Sequence, residues 1–151
     1  MSYKELDNET LEIFEHHTDI GEKCSIGISL VSGHLLIETA LKALLEKVQG
    51  NLSSVELENL TYAEAMERSQ AVLGDDELTW EWKAIKQLNS LRNSFSQDLK
   101  KPRFISKVDE FIDFVRAQHA AEFYQDSFSR EEKLIRAIRA THKGLVQELK
   151  K

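Results

Sequence analysis

The 151 residues contain only one cysteine, one proline and six glycines, and each shortage excludes something. Cys24 cannot close an internal disulfide, and the absence of any Cys-x-x-Cys or paired Cys/His spacing removes the usual pattern for structural zinc. It reads as a small helix residue. So little proline and glycine leaves few interruptions, which favours long helices. No stretch reaches the roughly 18 uncharged apolar residues of a membrane span, and residues 1–10 lack the basic-then-apolar layout of a secretory signal. The expected location is cytoplasmic, with no membrane partner.

What is present has a globular balance, with 41% hydrophobic and 30% charged residues. A single domain over 1–151 can bury roughly 70% of the surface its unfolded chain exposes. The net charge of −6 argues against whole-surface attraction to nucleic acid, but the charge is uneven. Residues 130–151 hold seven basic side chains against three acidic ones, giving +4 there and −10 elsewhere.

Apolar periodicity predicts an all-α, up-and-down bundle of five or six helices. A short first helix over about 7–17 has Leu11 and Phe14 as its apolar positions. The strongest signal is 22–49, where Ile26, Leu30, Gly33, Ile37, Leu41, Leu44 and Val48 recur at steps of three and four, ended by Gly50-Asn51. A second stripe of Ile28, Val31 and Leu35 makes its first half apolar on two sides, so we expect it at the bundle centre or shared with another copy in a homodimer. Residues 51–60 read as a loop. Thr61 with Glu64 forms a capping box for a helix that stops at Gly74. Another is expected from Asp75-Asp76-Glu77, whose carboxylates suit a helix N-terminus, to about Leu99 before Pro102. A fifth over 103–124 carries Ile105, Val108, Ile112 and Val115. A sixth, capped by Ser127 or Ser129, runs nearly to the end with Leu134, Ile138, Thr141, Leu145 and Leu149 in register. The helices over 22–49 and 75–99 are expected to pack together centrally, and the aromatic residues read as core or interface.

On the helix over 75–99, Ala84, Ile85, Leu88, Leu91, Phe95 and Leu99 form one broad apolar face, and Arg92 falls inside it. A buried guanidinium needs a carboxylate, carbonyls or an anionic ligand, unless its head reaches solvent. Glu38, set in the apolar run 35–41, is the candidate partner. His34 lies one turn before Glu38, a spacing that makes a hydrogen-bonded pair or half a metal site, too few ligands for a metal. His16 and His17 suit a helix end, and His119 and His142 have no recognisable partner. Lys133, Arg136, Arg139 and Lys143 form a row on the last helix that can contact phosphates of RNA or DNA, although no aromatic or glycine-rich loop accompanies it in sequence.

The segment Leu91-Arg92-Asn93-Ser94-Phe95-Ser96-Gln97, late in a helix, together with Gly33-His34-Leu35-Leu36-Ile37-Glu38 and the helix from Thr61 to Gly74, resembles the HEPN superfamily, and within it the mannitol operon repressor-like branch. The resemblance covers about two-thirds of the chain. It implies a helical bundle that dimerises, and many members are metal-independent ribonucleases acting as toxins or defence effectors. Their signature is an arginine, an adjacent polar residue and a histidine after four to six intervening positions. Arg92 and Asn93 match the first two, but the histidine positions hold Gln97, Asp98 and Leu99.

An amide cannot exchange protons near neutral pH as an imidazole does, so Gln97 can bind or orient but cannot act as a base. The candidate catalytic residues that the resemblance implies are Arg92 and Asn93, the two that match its signature. His34, Glu38, Gln97, Lys133, Arg136, Arg139 and Lys143 are candidate binding residues, with no metal or cofactor implied. The expected function is a non-catalytic HEPN-like regulatory or interaction module for a protein or nucleic-acid partner. Its alternatives are a metal-independent endoribonuclease and a structural dimeric subunit of a larger assembly.

Overall fold

A computed structural model describes residues 22–98, 102–125 and 127–151, with side chains from Ile26 onward except those of 96–98 and 102. The helix expected over 7–17 lies outside the described residues. Within them the chain is all-helical: α1 (Glu22–Gln49), α2 (Ser54–Asn59), α3 (Tyr62–Leu73), α4 (Trp80–Asp98), α5 (Pro102–Gln118), a 3-10 turn (Ala120–Phe123) and α6 (Arg130–Leu149).

The central helix is α1, which packs most extensively against α6, then α3, then α4. Its partner at the centre is thus chiefly α6 rather than α4. Ile26, Leu30, Ile37, Leu41 and Leu44 of α1 are buried with Ile85 and Leu88 of α4, Phe104 and Phe111 of α5, and Leu134, Ile138 and Leu145 of α6. The mean hydropathy of 1.5 over residues 26–49 would also suit a membrane span, but here most of those apolar side chains are buried against other helices, Val31 and Leu35 excepted. Gly50 closes α1 with a φ of 71°, a left-handed conformation that glycine adopts without a Cβ penalty.

The capping box forms as read: Glu64 N donates to Thr61 Oγ1 and Thr61 N donates to Glu64 Oε1, each at 3.1 Å. Three boundaries differ from the sequence reading. The expected loop contains α2, capped by Ser53, whose Oγ accepts from Glu56 N at 3.1 Å. Its Leu57, followed by Leu60, packs on Leu45 of α1.

The second difference is at α4, which begins at Trp80 rather than Asp75. Leu78 turns into the core while the Trp82 indole donates to the Gly74 carbonyl at 3.1 Å, so 75–79 fold as a turn. The carboxylate of Glu77 meets Lys151 instead of a helix end. The third is at α5, which stops at Gln118. Burial of Phe123 requires the chain to bend back, and His119 leaves helical geometry at φ −144° and ψ 63°.

Of the two candidate caps for α6, Ser129 is used, accepting from Glu132 N at 3.2 Å. The other end is held by α1, where Lys47 Nζ donates to the carbonyls of Glu148 and Leu149, satisfying acceptors that a helix C-terminus leaves open.

Candidate functional site

Antiparallel packing of α1 and α4 brings the sequence candidates His34, Glu38 and Arg92 to one crevice. The Nε2 of His34 lies 3.0 Å from Asn89 Oδ1. An amide oxygen only accepts, so Nε2 carries the proton and Nδ1 is the free acceptor. The ring stacks on Tyr62, centroids 4.1 Å apart and planes 16° from parallel. Tyr62 is buried, and its hydroxyl donates to the Ile85 carbonyl at 2.7 Å. Burial, with Glu38 adding to it, raises the phenol well above its usual range, so it stays protonated and orients the imidazole.

Burial pushes His34 below its ordinary value; the bond to Asn89 and the charge of Glu38 oppose this, and Arg92 reinforces it. Arg92 is therefore an electrostatic neighbour of the imidazole, and the ring is neutral near pH 7. A neutral histidine held by an amide beside a guanidinium can accept a proton or a hydrogen bond. A histidine depressed on folding contributes stability that is complete above 6.5, its unfolded value, and is lost as the pH falls from 6.5 towards the folded value. Denaturant unfolding at about pH 7.5 and 5.5 should show the wild type losing more stability on acidification than His34→Gln. Parallel losses would contradict this placement.

The other candidates are placed as follows. Glu38 Oε1 pairs with Lys42 Nζ at 3.5 Å, and among the described residues no ion pair joins it to Arg92, which corrects the expected Glu38–Arg92 pair. Arg92 is half-buried and Asn93 exposed. The side chain of Gln97, like Leu99, lies outside those described. Asn89, Tyr62 and Lys42 were not singled out from sequence. Asn89 was detectable in principle, one helical turn before Arg92 on the same side of α4.

The row on α6 is largely compensated within the chain. Arg136 reaches the Glu122 carbonyl at 3.2 Å and Glu132 at 3.7 Å. Lys143 pairs with Glu122, and Arg139 is also engaged. Lys133 lines a groove of about 580 Å³ with Asp109, Asp113 and Arg130. Contrary to the sequence reading, aromatic residues do accompany the row: the rings of Tyr124 and Phe128 lie 4.9 and 4.0 Å from the Arg136 guanidinium. They engage the cation that would otherwise meet a phosphate.

Beyond the polar cluster the crevice becomes apolar. Gly27, Ile28, Val31, Ser32 and Phe95 line a groove of about 330 Å³. A Cβ on Gly27 would sit 2.2 Å from Phe95 Cζ, so the glycine lets the tip of the ring come up against α1. Next to it Val31 and Leu35 are 42% and 46% exposed. Among the described residues no group of three or more His, Cys, Asp or Glu side chains is placed to hold a metal. Comparison with family models, curated proteins and solved structures gave no match.

Proposed function

We propose that the chain is a non-catalytic, HEPN-like regulatory module that binds a protein partner through the outward face of α1 and the adjoining edge of α4. The observation that carries this reading is the exposure of Val31 and Leu35 beside the groove of Ile28 and Phe95. Large apolar side chains grouped at the surface and bordered by polar ones mark interaction sites in well-packed domains. Internal pairing of Arg136 and Lys143 weakens the nucleic-acid version, because counterion release needs cations free to meet phosphates.

A photo-crosslinking residue at position 35 should give one discrete heavier adduct in cells, and the same residue at Val55 should give none. Metal-free incubation with RNA should leave the RNA intact. Absence of the adduct overturns the module reading.

One observation favours the enzymatic alternative: His34 stands within electrostatic reach of Arg92, supplying the imidazole that position 97 lacks. RNA cleavage without metal, abolished by both Arg92→Ala and His34→Gln, would establish that reading instead.

A further inference from the structure

Arg92 gives the crevice a chemical preference. It lies on α4 one turn before Phe95, which lines the apolar groove, and one turn after Asn89, which holds His34. Among the described residues it has no carboxylate partner, since Glu38 is taken by Lys42. A half-buried guanidinium with no carboxylate partner among the described residues selects a carboxylate in two-point geometry, and a lysine would not replace it there.

The apolar part is narrow. From Ile28 to Leu35 the stripe runs about 10 Å along the helix, and the groove of about 330 Å³ is at the small end for a site that encloses an anchoring group. A stable two-fold dimer buries roughly 800 Å² on each copy, which this strip alone does not offer. One helix laid along the crevice fits its length and width, with apolar side chains spaced three and four residues apart. The negative end of the crevice is Glu38, so an acidic residue on such a helix is favoured only at the Arg92 level.

From this, resting on the module reading above, we infer that the crevice between α1 and the second half of α4 receives an amphipathic helix of a partner protein. Its apolar anchors enter the groove of Ile28, Val31 and Phe95, and an acidic side chain beside them meets Arg92.

The test uses the full chain and two fluorescein-labelled helical peptides. Both carry leucines at helical spacing; one has glutamates flanking them and its twin has lysines at those positions. Anisotropy titration should show the glutamate peptide binding at least ~10-fold tighter than its twin, a difference of about 1.4 kcal/mol. Arg92→Glu should reverse the preference. Val31→Asp should abolish binding of both peptides while leaving the melting curve in place, because residue 31 faces solvent.

Failure of both peptides, or a preference that Arg92→Glu leaves unchanged, overturns the proposal. So does self-association in sedimentation that Val31→Asp dissolves, which would make a second copy the occupant. An RNA oligonucleotide binding in place of the peptide would also overturn it. If the position-35 adduct forms while both peptides fail, the module stands and only this partner chemistry falls.

Discussion

Phe104→Ala should lower the unfolding free energy by about 3–5 kcal/mol and the melting temperature by roughly 6–20 °C. Phe104 is among the largest fully buried side chains, at the end of α5 that meets α4. Alanine there removes the transfer energy of the ring and leaves a cavity that surrounding helices close only in part. The loss is a large fraction of the ~5–15 kcal/mol by which such a domain is stable. It also reaches the crevice, because Phe104 backs Phe95, ring centroids 6.2 Å apart and planes at 50°. Without that support Phe95 can sink away from Gly27 and open the groove. Phe104→Leu keeps most of the volume and should cost far less, and chemical denaturation of the two variants separates them. A loss below ~1 kcal/mol for the alanine variant would mean that the ring is not enclosed as described.

The regular elements were legible where a local signal and a tertiary demand agree. Residues 22–49 and the Thr61–Glu64 box are examples: periodicity and caps there match the packing, and boundaries followed to the residue. Reading failed where a single side chain overrides the local signal. Three consecutive carboxylates at 75–77 are a good helix start in isolation, yet Leu78 and the Trp82 indole hold the chain in a turn. α2 escaped notice because six residues are too few for periodicity, although Ser53 and Glu56 repeat the pattern used at Thr61.

For the crevice, inward-facing Arg92 and the pair His34 and Glu38 could be picked out from helical spacing alone. Which of them meet could not. Asn89 and Tyr62 reach His34 only through the relative rotation of three helices, and a long side chain such as Lys42 claims Glu38 from its own helix. The compensation of the α6 row has the same origin, since Glu122 becomes a partner of Lys143 only once α5 ends early and the chain folds back.

Gly33→Val should destabilise the protein by about 1–3 kcal/mol, although valine is the better helix residue by a few tenths. Even a Cβ at this position would stand 2.7 Å from Ile138 Cδ1 and 3.0 Å from its Cγ2. Ile138 is fully buried, so its side chain has no free space into which to turn. The added methyls must push α1 and α6 apart along the most extensive contact in the bundle. Ile138→Ala alone should cost about 2–5 kcal/mol by leaving a cavity. Together the two changes should cost less than their sum by ~1 kcal/mol or more, because the valine fills part of the space the isoleucine vacates. Strict additivity in denaturant unfolding would show that the two positions do not touch. The contact also decides which face of α1 is displayed: at about 100° per residue, Gly33 lies nearly opposite both Val31 and Leu35. Seating the glycine against α6 turns those two side chains outward, and the valine variant should therefore weaken peptide binding at the crevice as well as stability.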